Sequence, residues 1–157
     1  NDYQGYLKSH RPESIKEGEI VDTQGAVVGH HEGVAFYTIG QRRGLGISSS
    51  HPQYVVAVDA KSNQVVVGSR EQVQSSAVWV KDVHYAAESF PSEPVRGEAK
   101  IRYNMEPQTA MWEDLGQGFA RIDFLDPQWA ISPGQVAVLY QDDRVIAGGR
   151  IQRHPKE

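Results

Sequence analysis

Residues 109–125 read TAMWEDLGQGFARIDFL, and this stretch contains two strand-like segments separated by a glycine-rich turn. Segments 109–115 and 119–125 are rich in aliphatic and aromatic residues, and Gly116-Gln117-Gly118 lies between them. Glycine readily adopts the backbone angles that a tight hairpin turn requires. We therefore predict that the two segments pair as an antiparallel hairpin.

Comparable strand and turn patterns recur on both sides of this hairpin. We predict three more hairpins, formed by residues 18–22 with 26–31, 53–60 with 64–69, and 135–140 with 145–152. We also predict strands at residues 34–39, 77–85 and 97–103, and a short helix at residues 3–10. Many short strands separated by turns are typical of small β-barrels and sandwiches.

The polar residues 71–76 provide a candidate boundary between two domains. We predict an all-β protein in which residues 1–75 form a small β domain with a short N-terminal helix. Residues 76–157 then form an antiparallel β-barrel. In the strand predicted at residues 97–103, Ala99, Ile101 and Tyr103 would share one face, opposite Lys100 and Arg102, because side chains alternate along a strand.

Composition limits the classes of function that this chain can have. Its 157 residues carry a net charge of -4 and include no cysteine. Without cysteine, the chain has no disulfide, no thiolate nucleophile and no thiolate zinc ligand. The apolar runs are far shorter than the roughly 20 residues of a membrane helix, and the first residues show no signal-peptide pattern. We therefore expect a cytoplasmic location, and any nucleic-acid site must be a local basic patch.

The stretch TIGQRRGLGI at residues 38–47 places adjacent Arg42 and Arg43 between glycines. Arginine offers planar donors that suit phosphate oxygens and base edges. The stretch is not a Walker A loop, because no Lys-Ser/Thr pair follows its last glycine, and no helix is predicted after it. The residues alone leave two interpretations open, an anion- or RNA-binding loop and an ordinary glycine-rich turn with solvated arginines.

The other reactive residue types are scattered along the chain. His30 and His31 would point to opposite faces of a strand, which is poor geometry for one metal ion. No carboxylate pair and no nucleophile–base pair stands out. We therefore predict no catalytic residue and no metal site in these residues.

Two further positions have an RNA-binding interpretation beside a simpler one. Lys100 and Arg102 could place two positive charges beside the aromatic ring of Tyr103, an arrangement that single-stranded RNA contacts favour. Gln135 follows Pro133-Gly134 and could contact a phosphate or a base edge. The simpler interpretations are a solvated sheet face with Tyr103 in the core, and a plain turn residue at Gln135. The residues by themselves favour these simpler interpretations.

Several of these segments resemble the bacterial tRNA-specific 2-thiouridylase family, formerly named tRNA (5-methylaminomethyl-2-thiouridylate) methyltransferase. They are GEIVD at residues 18–22, the glycine pattern of residues 25–33, YTIGQRRGLGI at 37–47, YVV at 54–56, KIRY at 100–103, ISPGQVAVLY at 131–140 and AGGRI at 147–151. The resemblance extends over essentially the whole chain. It implies that the first domain is the family's central domain and that the second is its C-terminal β-barrel.

The resemblance also implies a function. The family's full enzyme activates the C2 oxygen of the wobble uridine, at position 34, with ATP and replaces it with sulfur from a cysteine persulfide. ATP binding and both cysteines belong to family segments that these 157 residues do not include, above all the PP-loop ATPase domain. We therefore expect no cofactor here, and we expect this chain alone to be inactive as a sulfurtransferase.

By the same resemblance, the family's tRNA-contacting Arg-Tyr pair falls on Arg102 and Tyr103, and its contacting Gln falls on Gln135. Further candidate contacts are Gln41, Arg42 and Arg43. The expected partners are the anticodon arm of tRNA and, through the full enzyme, a sulfur-relay donor protein. Neither DNA nor a membrane is expected as a partner.

The chain departs from the family pattern at two places. Asn104-Met105 stands where the family usually continues with a basic residue and Gln, and Arg150 stands where it often has glycine. The first departure bears on how strongly the barrel edge binds phosphate.

An alternative function is a protein-interaction module that docks a sulfur-relay partner or the catalytic domain and has little RNA affinity.

Overall fold

The computed structural model describes residues 15–87 and 90–154. The chain forms two compact units, which divide between Val73 and Gln74. The helix predicted at residues 3–10 lies outside the described residues. In the described part, the regular elements are ten strands and two 3-10 turns, which confirms an all-β fold. No helix in that part is long and apolar enough to cross a membrane.

The first unit contains a four-stranded mixed sheet. Its strands are β1 (Gly18–Asp22), β2 (Val27–His31), β3 (Tyr54–Asp59) and β4 (Gln64–Gly68), and their order in the sheet is β2–β1–β4–β3. The pairs β1–β2 and β3–β4 are antiparallel, which confirms both predicted hairpins. Strands β1 and β4 pair in parallel and join the two hairpins into one sheet. The core around them contains Ile20, Leu45, Val55, Val65 and Val67.

The strand predicted at residues 34–39 is wrong. Val34–Phe36 form a 3-10 turn, and residues 37–39 join no sheet. Val34 and Tyr37 nevertheless pack against the core of the first unit. The Tyr37 N–H donates to the Val34 carbonyl at 3.1 Å, so a local hydrogen bond replaces a ladder bond. An apolar run therefore indicated burial correctly, but burial does not require strand pairing.

The second unit is a closed six-stranded barrel. Its strands are β5 (Gln74–Tyr85), β6 (Val95–Lys100), β7 (Gln108–Gly116), β8 (Phe119–Trp129), β9 (Val136–Gln141) and β10 (Arg144–Gln152). Their order around the barrel is β10–β5–β8–β7–β6–β9. All neighbouring pairs are antiparallel. Closure of the barrel leaves no unpaired sheet edge. The predicted antiparallel β-barrel is confirmed.

The inner face of the barrel carries its core. Trp112, Ile122, Leu139 and Ile151 are fully buried there. The hairpin at residues 109–125 forms as predicted, and Gln117 and Gly118 adopt φ angles of 53° and 77°, as a mirror-image turn requires. Because Ala137 and Leu139 point inward, the alternate side chains of β9 form part of the outer surface.

Strand β6 ends at Lys100, three residues before the predicted end. Residues 101–104 turn away from the sheet, and the Ile101 N–H lies 3.3 Å from the Met105 sulfur across the turn. Ile101 is buried as expected, but Tyr103 is 94% exposed. The expectation that Tyr103 shares one face of the strand with Ala99 and Ile101 is wrong, because the two-residue alternation stops where the strand ends.

Candidate functional site

Arg102, Tyr103 and Gln135 line one groove of about 780 Å³ on the barrel. Arg102 and Tyr103 lie in the turn that follows β6, and Gln135 lies in the turn that precedes β9. Strands β6 and β9 are antiparallel neighbours, with Lys100 opposite Val138. The end of one strand therefore meets the start of the other, and this brings the two turns together.

Arg102 has an unsatisfied side-chain donor. The residue is half-buried, and its Nε is buried without a hydrogen-bond partner in the described part of the chain. No described carboxylate forms a salt bridge with it. A buried donor that has lost water and gained no partner is energetically costly. Arg102 lines the groove, so a shift of its side chain toward an anionic ligand there would give the Nε an acceptor.

Tyr103 and Gln135 both present their side chains to solvent in this groove. The Tyr103 side chain is 94% exposed, so its ring face is open to a planar partner. Gln135 is exposed as well, and its backbone is held by the neighbouring strand. The Gly134 N–H donates to the Ile151 carbonyl at 2.8 Å, and the Ile151 N–H donates to the Gln135 carbonyl at 2.7 Å. The groove thus combines a cation, an aromatic ring and an amide.

The arginine loop of the first unit, residues 40–46, is a constrained turn. The Gly40 N–H donates to the Val55 carbonyl at 2.8 Å, and the Val55 N–H donates to the Gln41 carbonyl at 2.9 Å. Leu45 is buried in the core of the unit. Gly44 and Gly46 have φ angles of 73° and 65°, a region that other residues adopt with strain. Glycine is therefore the favoured residue at both positions of this loop.

The side chain of Gln41 is used inside the loop. Its Oε1 accepts a hydrogen bond from the Thr38 N–H at 3.1 Å, and its Nε2 donates to the Arg43 carbonyl at 2.9 Å. These two bonds brace the turn across residues 38–43. Gln41 therefore has a structural role within its own loop, in addition to its candidate role as an RNA contact, and no motif indicated that structural role.

Arg42 and Arg43 are both exposed, but they line different pockets. Arg43 lines a pocket of about 510 Å³ together with Glu32 and Tyr37. Arg42 lines a smaller pocket of about 250 Å³ that also includes His51. No salt bridge to either guanidinium exists among residues 15–87 and 90–154. The structure therefore does not bring the two adjacent arginines into one site.

Two family models match the chain in succession. Residues 4–69 match the tRNA methyl transferase PRC-barrel domain, and residues 75–151 match the Aminomethyltransferase beta-barrel domain. A tRNA-specific 2-thiouridylase of Moorella thermoacetica is 43% identical over 151 residues, which is 96% of this chain. The chain belongs to the tRNA-specific 2-thiouridylase family.

Other relatives of the same name show a similar match. A thiouridylase of Clostridium botulinum is 41% identical over 98% of this chain, and one of Carboxydothermus hydrogenoformans is 40% identical over 98%. The chain spans 42% of the Moorella and Carboxydothermus relatives and 43% of the Clostridium relative. The family resemblance expected from the motifs is therefore confirmed for the central and C-terminal domains, which make up less than half of those proteins.

In this thiouridylase-family chain, the pocket beside Arg43 contains groups that the motifs did not reveal. The His31 Nε2 lies 3.1 Å from the Asn63 carbonyl, so Nε2 carries the proton, while the buried Nδ1 has no partner among the described residues. Burial and the Glu32 carboxylate both raise the pKa of Tyr37. The described residues contain no group of three or more His, Cys, Asp or Glu that could hold a metal ion.

The motifs also missed the apolar wall of the barrel groove. Val136, Val138 and Tyr140 of β9 line it beside Gln135. The sequence held one indication of this wall. Val136, Val138 and Tyr140 alternate with Ala137 and Leu139, and a strand that buries one set must present the other set outward.

Proposed function

We propose that this chain is the tRNA-binding portion of a tRNA-specific 2-thiouridylase, and that the groove lined by Arg102, Tyr103 and Gln135 on the barrel contacts the anticodon arm. The observation that supports the proposal is the shared groove of Arg102, Tyr103 and Gln135, which come from two separate turns. The proposed substrate class is supported by relatives whose name states that they are tRNA-specific.

Each groove residue offers a different kind of contact. The Arg102 guanidinium binds phosphate oxygens through its N–H donors, and movement of the side chain into the groove brings its buried Nε within reach of the same ligand. The exposed Tyr103 ring stacks on an unpaired base. The Gln135 amide both donates and accepts, so it suits a phosphate or a base edge. Contacts of this kind fix the position of the RNA rather than change it chemically.

We assign the chemical step of wobble-uridine thiolation to family segments other than these residues. The chain has no cysteine that could carry persulfide sulfur. The loop of residues 40–46 is followed by turn and irregular structure up to β3, so it lacks the helix N-terminus that cradles nucleotide phosphates in a P-loop. In the full enzyme ATP would activate the uridine C2 oxygen, and these residues would hold and orient the tRNA.

Titration with an unmodified tRNA transcript tests this function. We expect dissociation constants on the order of micromolar or weaker, with clear weakening as salt rises, because few phosphates are neutralised. Arg102→Gln should weaken binding, whereas Arg144→Gln, at the start of β10, should not. Circular dichroism and thermal unfolding of both variants establish that the fold is retained. If the two variants bind tRNA equally well, the groove is not part of the RNA-binding site.

The interaction-module function has one supporting observation. Leu125 and Val145 of the barrel are 75% and 52% exposed, and a protein partner that covered them would remove this apolar surface from water. Under this alternative the partner would be a sulfur-relay protein or the family's catalytic domain. Arg102→Gln would then leave partner binding unchanged, and the wild-type chain would show no salt-dependent tRNA binding.

A further inference from the structure

Three basic residues of the barrel lie on β6, β10 and β5, within the run of neighbouring strands β6–β9–β10–β5. Lys100 of β6 is opposite Val138 of β9. Arg150 of β10 is opposite Val136 of β9 on one side and opposite Lys81 of β5 on the other. Directly opposed residues of an antiparallel pair project from the same face of the sheet. Lys100, Arg150 and Lys81, here termed the basic stripe, therefore share a face with Val136 and Val138.

This shared face is the outer surface of the barrel. The sequence neighbours Ala99, Val80 and Ile151 are buried in the core, so the alternate residues Lys100, Lys81 and Arg150 must point outward. Arg150 is exposed, and the two lysines are half-buried. Their aliphatic stems cover the strands while their charged ends reach solvent.

The spacing of the basic stripe follows from sheet geometry. Arg150 and Lys81 are direct neighbours on adjacent strands. Lys100 and Arg150 are two strands apart and offset by two residues along β9, which places their Cα atoms about 12 Å apart. Val136 lies between them and is 60% exposed. Consecutive phosphates of an RNA strand lie closer together than this, so Lys100 and Arg150 suit phosphates separated by at least one further nucleotide, with Val136 facing a sugar between them.

Two carboxylates border the stripe without neutralising it. Asp82 follows Lys81 in a left-handed backbone conformation, with φ at 52°, and lines a second groove of about 540 Å³ with Arg150 and His84. Glu98 precedes Lys100 by two residues on β6. In the part of the chain that the structure describes, no carboxylate forms a salt bridge with a stripe residue, whereas Arg121 and Asp123 on the same barrel do pair, at 2.7 Å.

The stripe is continuous with the groove of Arg102, Tyr103 and Gln135. Lys100 lines that groove, and Val136 lines both that groove and the second one beside Arg150. We propose that the basic stripe is a second phosphate-binding track, which holds RNA backbone that extends from the groove across β9 and β10 to β5. The proposal rests on the tRNA-binding function given above.

The salt dependence of tRNA binding tests this track. Each phosphate contact contributes about 0.7 to 0.9 to the slope of log K against log salt concentration. The double variant Lys81→Gln/Arg150→Gln should therefore lower the magnitude of the slope by roughly 1.5. The matched control is Arg144→Gln, on the same strand as Arg150 and about 20 Å away along it. The control should keep the wild-type slope, and thermal unfolding should be alike in both proteins.

Comparison with Arg102→Gln separates this proposal from the one on which it rests. A double variant with the wild-type slope, beside a weakened Arg102→Gln, overturns the track and leaves the groove in place. A reduced slope in the double variant supports the track, whatever the effect at Arg102. No salt-dependent tRNA binding by the wild-type chain overturns both proposals.

Discussion

The Ile151 N–H donates a hydrogen bond of 2.7 Å to the Gln135 carbonyl, and this bond ties the turn before β9 to strand β10. Gln135 is therefore positioned through its backbone, while its side chain is exposed in the groove. The backbone of Gln135 therefore holds the turn, and its side chain is free to contact a ligand. The side chain can be changed without disturbing the turn.

Gln135→Ala should weaken tRNA binding by about two- to tenfold and leave thermal unfolding unchanged, since one neutral hydrogen bond contributes about 0.5 to 1.5 kcal/mol. Fluorescence anisotropy with a labelled tRNA transcript measures the affinity. Gln141→Ala, at the other end of β9, is the control and should bind like the wild type. A drop in stability for Gln135→Ala would show that the side chain supports the turn.

Tyr103→Ala should weaken RNA binding by roughly five- to 100-fold, because base stacking on an aromatic ring contributes about 1 to 3 kcal/mol. Tyr103→Phe should retain most of the affinity, since it keeps the ring. Neither change should alter the unfolding midpoint, because the side chain is 94% exposed. If Phe and Ala weaken binding equally, the hydroxyl rather than the ring makes the contact.

Gln41→Ala should lower the free energy of unfolding by about 1 kcal/mol, because the Thr38 N–H and the Arg43 carbonyl lose their side-chain partner. Urea denaturation of the chain measures this change. Arg43→Gln, which removes an exposed charge from the same loop, should leave stability within about 0.5 kcal/mol. A Gln41→Ala protein of full stability with weakened tRNA binding would make Gln41 a contact rather than a brace.

Stability should fall at high pH because of Tyr85. Burial, with a contribution from the nearby Asp114 carboxylate, raises the pKa of Tyr85 from 10.0 to about 12. Its buried hydroxyl lies near Asp114 and Trp112, yet neither satisfies hydrogen-bond geometry. Since the unfolded chain releases this proton first, the stabilisation is present below pH 10 and is lost as pH rises toward 12.

Denaturant titrations at pH 8 to 12 on wild type and Tyr85→Phe check the effect of Tyr85. The variant should lose less stability than the wild type over the upper part of this range. The loss of stability that the variant still shows includes the contribution of Tyr37, whose pKa is also raised. Identical pH profiles in the two proteins would mean that Tyr85 titrates alike in the folded and unfolded chain.

Two adjacent glycines of β10 should respond differently to substitution. A Cβ at Gly149 would lie 2.6 Å from the Val80 Cγ1 and 2.8 Å from the Lys81 carbonyl oxygen, whereas one at Gly148 would lie 3.5 Å from the nearest atom. Gly149→Ala should therefore destabilise the barrel by about 1 to 3 kcal/mol, because β10 must move away from β5. Gly148→Ala is the matched control and should have little effect. Thermal unfolding compares the two variants, and equal stability would mean that the strands separate at little cost.

The local features of the fold were predictable from the sequence. Hairpins such as the one at residues 109–125 depend on turn glycines and on alternation within a few residues, and they form as predicted. The prediction of a strand at residues 34–39 was wrong because apolar residues indicate only that a segment is buried, and a loop can be buried against the core as well as a strand. The parallel pairing of β1 with β4 had no local signal, because it joins segments that are distant along the chain.

The sequence by itself determined the family, the all-β class and the residue types available for contact with an anion, because motifs, turn residues and charges are local properties. Only the tertiary structure decided which of those residues act together. Pairing of β6 with β9 brings Arg102 and Gln135 to one groove, and the register of β9, β10 and β5 aligns Arg150 with Lys81. The bonds of Gln41 within its own loop were likewise decided by packing. The physical reason is that barrel closure joins strands by hydrogen bonds between distant segments, and no short stretch of sequence encodes such a pairing.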